Sequence, residues 1–165
     1  MESHGVCQSR LNLNLLEVEL VPIKSMYLIG SLRNEKVREI GKTIRDKTGI
    51  DVFDDWHGAG PHADDEWKEY ELARGRSYRE ALMGYAARQI FSFDKTHLDR
   101  CDAALLCMPA GKSGHLELGY ALGSGKPGFI LFEEGADDRW DVMVQFATKV
   151  FFTKDEMIEY FSQHG

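Results

Sequence analysis

The chain has no apolar run near the roughly 18 residues that a membrane-spanning helix needs. Its longest apolar stretches, Ala103 to Met108 and Gly128 to Phe132, are strand-sized, which excludes a span. It has no surplus of positive charge either: 20 Lys and Arg stand against 27 Asp and Glu, a formal net charge of −7. That balance opposes sequence-independent attraction to a nucleic-acid backbone or an anionic membrane and favours a small-molecule partner. Cysteine is scarce, with Cys7, Cys101 and Cys107 odd in number and forming no CxxC pair, so buried thiols in a reducing cytoplasm are expected. Met1 to Ser25 lacks the basic segment, apolar core and small-residue cleavage site of a secretory leader. Repeats and low-complexity tracts are absent as well. What remains is 165 residues, 43% hydrophobic and 28% charged, the composition of an ordinary folded protein. One domain is expected, since domains run to roughly 100 to 200 residues.

Strands and helices alternate along that domain. Met26-Tyr27-Leu28-Ile29 is a short apolar run that stops at Gly30-Ser31, and Asn34 to Lys47 then carries Val37, Ile40 and Ile44 at helical spacing. Gly49 is a C-cap candidate, and Ile50 to Phe53 supplies a second strand ending in Asp54-Asp55. Trp56 to Asp65, with Gly58, Gly60, Pro61 and two histidines, reads as a loop suited to a substrate lid. Helical propensity returns over Asp64 to Glu71 and Tyr78 to Gln89, followed by Phe91, Phe93, Asp94 and a short helical piece through Leu98 to Cys101. Ala103 to Met108 is a buried strand, Ser113 to Ser124 a helix, and Gly128 to Phe132 another strand. Lys149 to Phe152 leads into a last helix from Lys154 to Phe161. The pattern predicts an α/β, doubly wound, flavodoxin- or Rossmann-like parallel sheet with helices on both faces. Residues 26–165 form the domain; residues 1–25, where Leu11 to Val21 alternate with period two, are either an added edge strand or an upstream extension.

In such a sheet ligands bind at the carboxyl ends of the strands. That rim gathers Gly30, Ser31 and Arg33, then Asp54 and Asp55, then Gly111 to Glu117. Gly30-Ser31-Leu32-Arg33 suits a phosphate, because glycine admits close backbone approach, a helix start offers free N–H groups and arginine neutralises an anion; it also reads as a bare strand-to-helix turn. In the segment Pro109 to Tyr120, Gly111 and Gly114 suit a loop around a ligand and Ser113 is placed to cap the helix. Glu117 follows in the first turn or so, where the helix dipole would favour the ionised carboxylate that a nucleophile requires; the alternative is a solvated surface position. Asp94, among Phe91 and Phe93, suits a proton donor of raised pKa. Trp56 suits stacking on a base or anchoring its loop on the core, and Asp55 can accept from an exocyclic amine. His115 and Lys112 read as structural or as substrate contacts. Arg74, Arg76 and Arg79 read as a solvated helix face or as phosphate ligands from the lid side. His57 and His62, five apart in a Gly-rich loop, do not make a zinc-ligand pattern, so no metal is expected.

Tyr27-Leu28-Ile29-Gly30-Ser31-Leu32-Arg33, Asp94 eight residues before Asp102, and Gly114-His115-Leu116-Glu117-Leu118-Gly119-Tyr120-Ala121 with Gly125-Lys126-Pro127 resemble the nucleoside 2-deoxyribosyltransferase family. That superfamily also holds the 2-deoxynucleoside 5-phosphate N-hydrolases. The resemblance covers Met26 to Phe132 and implies that Glu117 attacks the anomeric carbon, Asp94 protonates the departing base and Tyr27 orients the nucleophile. It implies Gly30, Ser31, Arg33, Gly111, Ser113 and Gly114 around the sugar and its 5-substituent, no cofactor, and a homodimer or larger homo-oligomer with shared active sites; Asp55 and Trp56 are expected at the base from their own chemistry. Two departures stand out: Lys112 beside Ser113 shifts the loop spacing by a residue, and the stretch from Asp54 to Tyr78 is longer and more polar than in either branch. Transfer between bases, hydrolysis, action on ribonucleotides or modified bases, and a non-catalytic nucleotide sensor all remain open at this point.

Overall fold

The computed structural model describes residues 22–133 and 140–165. Five parallel strands form one sheet: β1 (Ser25–Ile29), β2 (Asp51–Phe53), β3 (Ala103–Cys107), β4 (Gly128–Leu131) and β5 (Lys149–Phe151), in the order β2-β1-β3-β4-β5. The helices are α1 (Lys36–Thr48), α2 (Ala63–Ala73), α3 (Tyr78–Leu82), α4 (Tyr85–Arg100), α5 (Lys112–Gly123) and α6 (Lys154–His164), with 3-10 turns at Asp55–Ala59 and Val142–Phe146. This is the doubly wound α/β sheet that the alternation of elements predicts.

Period-two geometry divides the core into two layers. Met26, Leu28, Leu105, Cys107, Phe129 and Leu131 pack with Val37, Ile40 and Ile44 of α1 and Met157 and Phe161 of α6 on one face. Tyr27, Ile29, Ala104, Leu106 and Ile130 meet Leu98 of α4 and Leu118 and Ala121 of α5 on the other. Because the inner strands β1, β3 and β4 are covered on both sides, they read as continuous apolar runs. Helix α1 ends at Gly49, whose φ of 74° is the left-handed conformation that a side chain resists. Helix α6 starts in a reciprocal capping box between Thr153 and Glu156. Ile23, ahead of β1, is already buried, and its N–H donates to the His164 carbonyl 2.8 Å away. The alternation at Leu11 to Val21 and Cys7 lie outside the described residues; Cys101 and Cys107 are buried.

Three local expectations change. The segment Trp56 to Asp65 is not one long loop: a 3-10 turn closes at Gly60, whose φ is 90°, and α2 begins at Ala63. Helix α4 runs unbroken through Phe91, Phe93 and Asp94, since Ala87, Phe91, Asp94 and Leu98 keep helical spacing across the aromatic pair. Its break lies earlier, at Met83-Gly84, where α3 ends and Gly84 caps α4. Ser113 does not cap α5; Gly111 holds that position and Ser113 lies inside the first turn.

The strand order reverses between β1 and β3, which pair in register from Met26 with Ala103 to Ile29 with Leu106. The chain leaves β1 for α1 on one face and β3 for α5 on the other, so a crevice opens beyond Ile29 and Cys107.

Candidate active site

A cavity of about 920 Å³ occupies this crevice. Its polar rim comes from the β1–α1 loop, with Gly30, Ser31 and Arg33, and from the start of α5, with Gly111 and Ser113. Tyr27, Asp94 and Glu117 lie deeper, and Asp55 and Trp56 line the side next to β2. Of the eleven residues that the resemblance and the strand-end rim assign to catalysis or substrate binding, ten line this cavity and Gly114 stays out of it. A Cβ at Gly114 would stand 3.0 Å from Leu106 Cδ1 and 3.1 Å from Ile29 Cγ2, so this glycine lets α5 lie close on the sheet.

Tyr27 reaches the cavity because its position in β1 points it to the α4/α5 face, where it is 2% exposed and stacked on Phe53 at 5.3 Å. Burial raises its phenol pKa far above the ordinary value, and the negative charges of Asp94 and Glu117 add to that. Glu117 lies in the second turn of α5 and its carboxyl is pushed up to about 7, first by loss of solvent and then by the Asp94 charge. The expected help from the helix dipole is therefore outweighed: desolvation near the floor favours the neutral acid, and the dipole fades beyond the first turn. Asp94 is also raised, by burial, with His97 one turn along α4 pulling the other way. Tyr27 thus feels both carboxyls and Glu117 feels Asp94, and loss of solvent lets Glu117 hold a proton further towards neutral pH than a free carboxyl does.

Arg33 is the only cation among the described residues lining the cavity, and its Nη2 lies 2.9 Å from Asp65 Oδ2 on α2. Both side chains are more than half exposed, so the pair is an exchangeable tie between the rim and α2. Trp56 serves as an anchor, donating from Nε1 to the Leu28 carbonyl at 2.7 Å, and still contributes to the cavity wall. Gly30 lets α1 lie close to the end of β1: a Cβ there would stand 2.8 Å from Val37 Cγ2, while at 3.6 Å it would only touch the Trp56 ring.

Other candidates have structural partners. Asp54 is held by Arg45 at 3.1 Å, His57 is buried with Nε2 3.0 Å from the Asn34 carbonyl, and His115 Nδ1 lies 2.8 Å from the Gly111 carbonyl. Arg76 pairs with Glu71, Arg74 with Tyr70, and neither these two nor Arg79 or Lys112 lines the cavity. Asp102 acts at the opposite end of the sheet, where Oδ2 accepts from the Lys24 and Ser25 amides. Among the described residues no group of three or more His, Cys, Asp or Glu is arranged to hold a metal.

Sequence reasoning passed over Pro61, Trp67, Leu82, Ile90 and Phe91, all of which line the cavity. The available signal was spacing, because Ala63 and Trp67 lie one turn apart on α2, as do Ala87 and Phe91 on α4.

No family model matches the chain, and no curated protein matches it. Solved structures do. A 2-deoxyribosyltransferase from the psychrotolerant bacterium Bacillus psychrosaccharolyticus superposes with a TM-score of 0.54 at 17% identity, over 82% of this chain and 91% of that one. A conserved protein from Enterococcus faecalis V583 superposes with a TM-score of 0.57 at 13% identity, over 86% of this chain and 98% of that one. The chain thus has the fold of a 2-deoxyribosyltransferase.

Proposed function

We propose that the protein cleaves or exchanges the N-glycosidic bond of 2-deoxyribonucleosides or their 5-monophosphates. The observation that carries this reading is the half-buried pair Glu117 and Asp94, lining one cavity with the buried Tyr27 phenol below a polar rim. A Glu117 oxygen attacks C1′, the C1′–N bond breaks with its electron pair going to the base, and Asp94 supplies the proton that the base nitrogen takes up. A glycosyl ester on Glu117 results. Water or a second base then attacks C1′, the carboxylate leaves, and the proton lost by the incoming nucleophile returns to Asp94. Tyr27 donates a hydrogen bond to the carboxylate and holds its orientation. Burial favours the neutral form of both carboxyls, and a base nitrogen accepting from protonated Asp94 favours the reactive arrangement, with Glu117 ionised.

Arg33, with Ser31, Gly111 and Ser113 beside it, supports recognition of a 5-phosphate. Exposed Leu116, Tyr85 and Met83 support a homo-oligomer, and two buried thiols suit the cytoplasm.

Chromatography of free base from a panel of ribo- and deoxyribonucleosides, with and without a 5-phosphate and an added acceptor base, tests the reading. Release without acceptor makes the protein a hydrolase, exchange only with acceptor makes it a transferase, and ligand binding with no release makes it a sensor. Glu117→Ala is expected to lower kcat/KM at least about 10⁴-fold with the fold intact. Asp94→Asn is expected to slow base departure roughly 10²- to 10⁴-fold, most for the poorest leaving groups. Equal slowing of all bases would make Asp94 a positioning group.

A further inference from the structure

Behind Asp94, outside the cavity, stands His97. The two residues lie one turn apart on α4, and only the carboxyl lines the cavity. Aromatic rings place the imidazole. It lies flat on Phe53, with centroids 3.9 Å apart and planes 7° from parallel, and Phe93, one turn earlier on α4, meets it at 4.7 Å. Phe53 is stacked on Tyr27 in turn, so one cluster of rings ties the phenol of β1 to the helix that carries the acid. Packing alone would be served as well by another phenylalanine. Histidine differs from it in one respect, a charge that is gained or lost between about pH 5 and 8.

That charge falls on one carboxyl of the pair. Loss of solvent raises Asp94 above the ordinary carboxylate range and His97 opposes the rise, whereas the influences on Glu117 are burial and Asp94. The other titratable groups around the ring cluster are Tyr27 of β1, Glu117 of α5 and Cys101 at the end of α4, with Asp51 of β2 acting on Cys101. Lys95 and Asp99 of α4 bond each other and the Tyr120 hydroxyl of α5.

We infer that His97 is a positioning residue for base departure: fixed behind Asp94 by its ring contacts, the imidazolium favours the carboxylate that Asp94 becomes when its proton passes to the leaving base. The inference rests on the glycosidic reading and adds to it what strengthens the acid. The C1′–N electron pair goes to the base and the Asp94 proton to the base nitrogen. The carboxylate left behind has a cation beside it until the incoming nucleophile returns a proton, and His97 keeps its own proton throughout. In the substrate complex, where the base accepts from protonated Asp94, a stronger acid releases the base faster, so protonated His97 raises kcat. As pH rises the imidazole gives up its charge and this help is lost.

The test uses His97→Phe, which keeps the stack and removes the charge, with His97→Gln as a second variant should the larger ring disturb the fold. The substrates are 2′-deoxyadenosine, whose base needs a proton to leave, and 7-methyl-2′-deoxyguanosine, whose cationic base leaves without one, each also as the 5′-monophosphate. At about pH 6 the variants are expected to lower kcat about three- to tenfold for deoxyadenosine and less than about twofold for the methylated compound, the loss fading by about pH 8. Equal slowing of both substrates at every pH is a packing effect and overturns the inference while leaving the glycosidic reading standing. Native kcat values in both variants overturn it as well. A second readout needs no turnover: carboxyl carbon NMR of the Glu117→Gln protein follows Asp94 without its partner acid, and adding His97→Phe is expected to move the Asp94 midpoint to higher pH, because the cation that favours the carboxylate is gone. An unmoved midpoint overturns the inference. A moved midpoint with no base released from any substrate supports the coupling of His97 to Asp94 and overturns the glycosidic reading alone.

Discussion

Glu117 shows how position on a helix changes the chemistry of a carboxyl group. One turn earlier it would lie beside the unsatisfied N–H groups of α5 and gain from them; in the second turn, near Asp94, loss of solvent dominates and its pKa rises to about 7. The folded protein therefore binds this proton more tightly than the unfolded chain does. Stability falls as pH rises from the ordinary carboxylate range through about 7, because the unfolded state loses the proton first at no comparable cost. Glu117→Gln removes that titration, so its unfolding free energy relative to the native protein is expected to improve between pH 5 and pH 8 by about 1–3 kcal/mol. Denaturant melts at the two pH values check this. A pH-independent difference would mean that the carboxyl is better solvated than its burial implies.

At the scale of elements, α2 and the rim communicate through one exposed ion pair. Arg33 approaches Asp65 at 2.9 Å, and an anionic ligand at the rim has to compete with that carboxylate. Asp65→Ala is expected to lower the KM for monophosphates about two- to fivefold, the range that exposed pairs contribute, and to leave the KM for the unphosphorylated nucleosides unchanged. Steady-state kinetics on matched substrates measures the split. Equal changes for both would place Arg33 away from the phosphate. The same element explains why the stretch after β2 is long and polar: three acidic residues, Asp64, Asp65 and Glu66, open α2 at its dipole-favoured end, and polarity there belongs to a helix start and not to a loop.

For the whole molecule, the two core layers are closed, yet large apolar side chains remain outside them. Leu116 is 76% and Tyr85 73% exposed, on α5 and α4 respectively, the helices that cover the Tyr27 face. Surfaces of this kind mark association. Sedimentation is expected to find a dimer or larger assembly for the native chain and monomer for Leu116→Glu combined with Tyr85→Glu. A native monomer would leave each cavity complete within one chain.

Much of this was legible in the sequence because it depends on local periodicity. Continuous apolar runs ending in glycine or proline mark strands buried on both faces, and β1, β3 and β4, as well as α1, α5 and α6, follow from patterns within ten or so residues. The rim residues followed too, because in a parallel sheet the strand ends share one edge whatever the order of the strands. Continuity of α4 was harder to see: Ala87, Phe91, Asp94 and Leu98 keep helical spacing, but the aromatic pair Phe91 and Phe93 beside a charged residue masks that period. Nor did the assignment of Asp54 to Arg45 and Asp55 to the cavity: adjacent residues of one type are separated only by what lies against each. Protonation is the clearest case. Residue type and distance from a helix start suggest an ordinary ionised Glu117, and only the packing that takes water away and brings Asp94 near it raises its pKa to about 7, because desolvation and charge act through space and leave no trace in the order of residues.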